Sequence, residues 1–372
     1  MNILFLIFSF NTGGVEKQLI EMSNSLSKKG HSVTLCIIND NYEKSLLDKF
    51  DNSVSVITME RPVKSANKLS YMFRLAHVSK EKNISIIHCQ EPTGVVFASV
   101  ARILNPKIKI IDTVHEMGEG KEYSRNVFKL ADIFCHKYVA ISEAVKSDII
   151  GRGVPDKRII VINNAIDTSR FRPVKESPSM NNKTGFNKND AITIGNVARF
   201  FPSVKGQDIL VKAIELLKEE YPNICCRFAG GIYREQEDIY KSTSEYISAH
   251  GLNRNICFCG NIDDVPKFLS DIDIFVLPSR HEGFGISLIE AMSIGIPCVA
   301  SDIDGLREII TDSSLGVLAE PGNEQNLADK IDYVIENYNS FNKEKISQYI
   351  SDNYDIGAMV DKHLALYSKC IG

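Results

Sequence analysis

Short apolar runs alternate with amphipathic stretches along nearly the whole chain, and they do so in two successive series. In the first series, Ile3–Phe10, Ser32–Ile38, Val54–Thr58, Ile84–Cys89, Lys109–Val114, Tyr138–Ile141 and Ile159–Ile162 read as short buried strands. Amphipathic segments such as Glu16–Lys29 and Lys64–Lys80 lie between several of them. Apolar strands separated by helices imply a parallel sheet covered on both faces.

The second series comprises Ala191–Val197, Ile224–Ala229, Ile256–Cys259, Ile274–Leu277, Pro297–Ala300 and Gly316–Leu318, with helical stretches at Gln207–Glu220, Gly285–Ser293 and Asn326–Tyr338. Between the series, Asp167–Asp190 carries Arg172-Pro173, Ser177-Pro178 and a polar Asn/Lys cluster, which is linker chemistry. The expected fold class is therefore α/β, with two doubly wound parallel-sheet domains at 1–168 and 169–350 facing across a substrate cleft. The last segment, 351–372, is expected to be a helix that packs back on the first domain.

Bulk properties narrow the class. A chain of 372 residues, 44% hydrophobic and 24% charged, is ordinary for a globular protein and long enough to stabilise its cores without disulfide or metal. None of the nine cysteines forms a CxxC pair, and Cys36, Cys257, Cys259 and Cys298 sit in apolar strand-like runs. They are expected to be buried, reduced thiols, which points to a cytoplasmic compartment and away from a zinc site. The apolar start, Met1–Phe10, lacks a basic leader and a small-residue cleavage site, so it reads as a first strand rather than a signal peptide. No apolar run reaches the roughly 18 residues of a membrane helix.

The first 170 residues hold 23 basic against 18 acidic side chains, and the remainder 20 against 29. The first half is the candidate for meeting phosphate or an anionic surface.

Three segments carry chemistry. Phe10-Asn11-Thr12-Gly13-Gly14-Val15-Glu16 is a glycine turn between strand and helix, where Gly14 allows close backbone approach and the helix N-terminus favours an anion. Asn196-Val197-Ala198-Arg199-Phe200, followed by Lys205-Gly206-Gln207-Asp208, places two cations after the first strand of the second domain, a suitable position for a diphosphate. In Ser279–Met292 a strand ends, a glycine-flanked turn holds Glu282, Gly283, Phe284 and Gly285, and a helix carries Glu290. Leu288, Ile289 and Met292 mark that helix as largely buried, so Glu290 needs a partner there.

These segments, in this order and spacing, resemble the retaining GT-B-fold glycosyltransferases of family 4, over nearly the whole chain. Glu282–Glu290 matches that family's Glu-x7-Glu signature, and Ala291–Ser301, Gly305–Glu308, Ile141–Val145 and Val161–Asp167 fit around it. The resemblance implies a metal-independent enzyme that moves a sugar from a nucleotide diphosphate-sugar, with a UDP-sugar favoured, to a glycan or lipid-linked acceptor in surface-polysaccharide synthesis. It also implies site roles. Arg199 and Lys205 would neutralise the leaving diphosphate, assisted by backbone N–H groups of Gly283, Phe284 and Gly285 and by Gly14. Glu282 would bind a donor-sugar hydroxyl, Glu290 the ribose, and His115 the donor sugar on the acceptor side.

The chain departs from the family pattern in three places. Lys205 follows Arg199 by six positions where five is usual, so the loop Phe200–Val204 must bulge, and Ala198 and Ala165 stand where glycine is common.

The nucleotide-sugar is a substrate, and neither cofactor, metal nor nucleic-acid partner is expected. Asp271-Ile272-Asp273 has the spelling of a cation site but precedes its strand, and is expected to be surface. The segment Lys64–Lys82 carries Lys64, Lys68, Arg74, Lys80 and Lys82 with Leu69, Met72, Phe73 and Ala76 at helical spacing. Such a helix can rest on an anionic membrane surface or turn its apolar side to the core. The rival readings are a nucleotide-sugar epimerase, a glycan phosphorylase and a non-catalytic scaffold of the same fold. A nicotinamide dehydrogenase lacks its third glycine here.

Overall fold

The computed structural model describes residues 1–63, 65, 68–115, 125–173 and 185–372. Contacts group them into two compact units, Met1–Ile166 with Ile356–Gly372, and Asp167–Asp355.

In the first unit, β1 (Asn2–Ile7), β2 (Ser32–Asn39), β3 (Ser55–Arg61), β4 (Ile86–Cys89), β5 (Lys109–Val114), β6 (Lys137–Ala140) and β7 (Ile159–Val161) form one sheet in the order β3-β2-β1-β4-β5-β6-β7. Every pairing is parallel. The apolar start of the chain is the interior strand β1, where Ile3, Leu4, Phe5 and Leu6 are wholly buried. It ends at Ile7 rather than Phe10, which makes an isolated bridge to Tyr42.

Helix Gly14–Lys28 buries Leu19, Ile20, Met22 and Leu26 in the core of this unit, and the terminal helix Ile356–Ile371 adds Met359, Val360, Leu366 and Tyr367 to the same cluster. Burial of such side chains contributes about 1.5–3 kcal/mol each, enough to dock a helix that the chain reaches only after crossing the other unit.

In the second unit, β8 (Ile192–Val197), β9 (Ile224–Ala229), β10 (Ile256–Gly260), β11 (Ile274–Leu277), β12 (Cys298–Ser301) and β13 (Val317–Ala319) form a parallel sheet in the order β10-β9-β8-β11-β12-β13. Strands β8 and β11 are neighbours although two strands intervene in sequence, so the chain leaves them toward opposite edges. That reversal opens a crevice at their carboxyl ends.

The terminal helix expected within 351–372 is Ile356–Ile371, and a separate helix, Lys343–Asn353, precedes it. They break where Tyr354 packs its ring against Phe284 and donates its hydroxyl to the Glu308 carbonyl, and where Asp355 accepts the Thr168 hydroxyl at 2.6 Å.

Two expectations are corrected. All nine cysteines are free, but Cys257 is exposed and Cys259 only half-buried, because β10 is an edge strand whose outer face has no cover. The stripe Leu69, Met72, Phe73, Ala76 also does not act as one face. Helix Leu69–Glu81 buries Leu75, Ala76 and Ser79, while Leu69 and Phe73 stay 65% and 56% exposed. Lys64, Ser177-Pro178 and the Asn181-Asn182-Lys183 part of the linker lie outside the described residues.

Candidate active site

The crevice of the second unit is built from the two segments that leave β8 and β11. After β8 the chain passes Arg199 and Phe200 and makes one helical turn, Pro202–Lys205, before helix Gln207–Leu217. That turn takes up the extra residue between Arg199 and Lys205. Gly206 joins the two helices in the left-handed region at φ +69, and a Cβ there would fall on the Pro278 carbonyl. Only glycine permits this approach, which sets the Lys205 loop directly against the end of β11.

Side chains fasten the two segments together. The Arg280 N–H donates to the Val204 carbonyl at 2.8 Å, and its guanidinium makes a two-pronged pair with Asp208 at 2.7 and 2.8 Å. Lys205 Nζ donates to Glu282 Oε2 at 2.8 Å, and the buried Ser279 hydroxyl donates to the same oxygen at 3.2 Å. A cation and a carboxylate expected to serve different parts of a ligand are therefore paired with each other. Arg280–Asp208 was not among the expected site contacts, because nothing in local spacing links positions 72 residues apart; the Ser279–Glu282 bond, three residues apart in one turn, was also not among them.

Arg199 is exposed, with its carbonyl held by Gln207 Nε2 at 2.9 Å and its guanidinium 5.8 Å from the Tyr233 ring centre. Its backbone is anchored while its charge reaches solvent.

Helix Ile286–Ile294 begins at Gly285, at φ +106, with no side-chain cap on its first turn. The first N–H groups of an uncapped helix are oriented donors backed by the helix dipole. Gly283 is half-buried in the preceding turn, whereas the Phe284 side chain is buried, so Phe284 can face a ligand only through its backbone. Glu290, 4% exposed, sits in the buried run Leu288–Ile294, as the apolar residues around it required.

Gly14 and His115 belong to the first unit. Gly14 opens its helix; a Cβ on Gly13 would fall on the Glu16 carboxylate, and the Thr12 N–H and hydroxyl donate to Glu43 at 3.1 and 2.6 Å. Carboxylates thus already occupy this glycine turn. His115, just after β5, is half-buried, and its Nε2 is 2.9 Å from Gln90 Oε1. Burial pushes its imidazole down to about 4, so it is neutral at physiological pH. It lines a cavity of about 20 Å³ shared with Gln18, His88, Gln90, Thr113 and Asn164. His88 is wholly enclosed, bonded to the Tyr367 hydroxyl at 2.6 Å and the Thr113 hydroxyl at 2.7 Å.

Asp273 is corrected. It is buried, and its carboxylate accepts the Thr193 N–H at 2.8 Å, tying β11 to β8. Asp271 is the member near the surface, paired with Lys267 at 2.8 Å.

Two parallel-sheet units, the second with cations and an uncapped helix start at its sheet switch point, define an α/β protein of the GT-B class. Anabaena HepE, solved in complex with UDP and glucose, superposes with a TM-score of 0.84 at 23% identity, covering 99% of both chains. The profile for glycosyl transferases group 1 matches residues 178–352, and that for glycosyltransferase family 4 matches residues 12–170. An uncharacterized glycosyltransferase of Haemophilus influenzae is 25% identical over 359 residues, 95% of each chain. The N,N'-diacetylbacillosaminyl-diphospho-undecaprenol α-1,3-N-acetylgalactosaminyltransferase of Campylobacter jejuni is 24% identical over 367 residues, 93% of each. The chain belongs to the group 1, family 4 glycosyltransferases, and it is a glycosyltransferase enzyme.

Proposed function

We propose that this enzyme transfers a sugar, with retention of anomeric configuration, from a UDP-sugar to a glycan or lipid-linked acceptor in polysaccharide or glycan synthesis. The observation that carries the reading is the Lys205–Glu282 pair beside the uncapped start of helix Ile286–Ile294. It joins a cation and backbone donors for phosphate to a carboxylate for sugar hydroxyls. The Anabaena protein solved with UDP and glucose, and the Campylobacter transferase that acts on a lipid diphosphate, support the donor and acceptor classes.

In the proposed step the bond between the anomeric carbon and the β-phosphate oxygen breaks, and the acceptor oxygen bonds the same carbon from the same face. The acceptor proton passes to the departing phosphate. Arg199, Lys205 and the N–H groups from Gly283 to the first helical turn neutralise that phosphate, the largest single contribution to such a transfer. Glu282 and Glu290 hold sugar and ribose hydroxyls, and no metal is required.

The test is a thermal-shift screen of the purified chain against UDP- and GDP-sugars in EDTA, beside Glu290→Ala. Stabilisation by the uridine series, lost in the variant, supports the reading; stabilisation by the guanosine series alone overturns the donor assignment. Proton spectra of the product at early times read the anomeric configuration, and an inverted product overturns retention.

Attachment to an anionic membrane surface is part of the proposal. Leu69 and Phe73 are exposed beside the exposed Lys68 and Arg74. Among the described residues no helix is long and apolar enough to cross a membrane. Flotation with liposomes containing anionic lipid should recover the wild type but not Leu69→Ser/Phe73→Ser; recovery only in the soluble fraction overturns it.

A further inference from the structure

Strands β4 and β5 extend into a polar ladder on one face of the first sheet. Side chains two apart on a strand share a face, so His88 and Gln90 lie beside Thr113 and His115. Two cross-strand bonds result, His88 Nε2 with Thr113 Oγ1 at 2.7 Å and His115 Nε2 with Gln90 Oε1 at 2.9 Å. The Tyr367 hydroxyl, on the terminal helix, closes the ladder on His88 Nδ1.

Gln90 and Gln18 are each 7% exposed and both line the cavity of about 20 Å³. Each has already used its carboxamide oxygen, Gln18 on the Ala165 N–H at 3.1 Å and Gln90 on His115. The NH2 group of each has no partner among the described residues. Buried amide donors are almost always paired, and a cavity of this size has room for about one water.

We propose that Gln90 is a positioning residue for His115, and that an ordered water in this cavity holds Gln90 by accepting from the NH2 groups of both Gln90 and Gln18. A carboxamide oxygen can only accept, so the bond places the His115 proton on Nε2 and makes Nδ1 the acceptor nitrogen. The titratable groups facing His115 here are His88 on β4 and His363 on the terminal helix. The cavity's described lining contains no acid, lysine or arginine. On this side of the ring the tautomer is set by the Gln90 hydrogen bond. Resting on the proposed function above, this fixes the tautomer that His115 presents to the donor sugar.

The tautomer is read directly from long-range proton–nitrogen spectra of the ¹⁵N-labelled full chain at neutral pH, with His115 assigned by its loss in His115→Gln. The wild type should show His115 protonated on Nε2. In Gln90→Met, which keeps the volume and removes the acceptor, the tautomer population should shift. Its kcat should fall about tenfold to a hundredfold with donor KM little changed, as expected when a sugar contact is misplaced.

A wild-type ring protonated on Nδ1 overturns the proposal whether or not the variant folds. An unchanged tautomer in folded Gln90→Met overturns it as well. A shifted tautomer with unchanged kcat leaves the positioning role standing and overturns the assignment of His115 to the sugar.

Discussion

Replacing Glu282 with glutamine should tighten nucleotide diphosphate binding while slowing transfer. The Lys205–Glu282 pair is 2.8 Å long, with side chains 23% and 17% exposed. At an effective dielectric constant near 20 its gross attraction is about 6 kcal/mol, most of it offset by desolvation of both ions. A phosphate that reaches Lys205 comes within roughly 6 Å of the carboxylate, where each unit of negative charge meets about 3 kcal/mol of repulsion at the same dielectric. Solvent at this partly open site screens roughly two-thirds of that, leaving about 1 kcal/mol. Glutamine keeps the volume and can still accept from Ser279, so relief of the repulsion should tighten UDP binding about fivefold to tenfold. Transfer should drop about a hundredfold, because a neutral amide holds the sugar less strongly as charge develops. Calorimetric titration with UDP, beside single-turnover rates with the donor found by the screen, separates the two effects. Weaker UDP binding in the folded variant would refute the reasoning, since it would mean that Glu282 does not oppose the phosphate at Lys205.

Three further outcomes follow from the packing. Gly206→Ala combines a left-handed backbone with a Cβ on the Pro278 carbonyl, so it should cost about 2–4 kcal/mol and lower the unfolding midpoint by about 5–10 °C by circular dichroism. A midpoint within error of wild type would show that the two loops can part without loss. Tyr367→Phe leaves buried His88 without its Nδ1 partner and should cost about 1–2 kcal/mol in urea unfolding, with the far-UV spectrum unchanged.

Acid should weaken the first unit before it unfolds. Burial holds His115 and His363 near 4 and lowers His88, against an ordinary value of 6.5. The unfolded chain takes up these protons first, so stability is complete above about pH 6.5. It falls toward pH 4 by at most about 1.4 kcal/mol per pH unit for each histidine. Urea midpoints measured from pH 7.5 to 4.5 that rise with acidity would contradict this.

The strands were legible because a parallel sheet covered on both faces must be written as short apolar runs, and both series emerge where those runs lie. The signature Glu282–Glu290 was equally legible, since a turn and the helix after it are local in sequence. Cys257 and Cys259 were misjudged for the same physical reason that the strands were found. An edge strand such as β10 has the composition of a central one, and only its missing neighbour exposes it. Leu69 and Phe73 likewise share the helical period of residues that do reach the core.

The chain's own pattern thus determined two doubly wound units, the order of their strands along the chain and the residues at the loops proposed to bind phosphate. Tertiary structure alone decided that Lys205 meets Glu282, that Arg280 meets Asp208, and that Gln90 and Gln18 close on one small cavity with His115. Hydrophobic periodicity is a one-dimensional signal that burial imposes on each element separately. Hydrogen-bond partners are set by which strands the crossovers make adjacent, and positions 72 or 77 residues apart become neighbours only when the sheet is assembled.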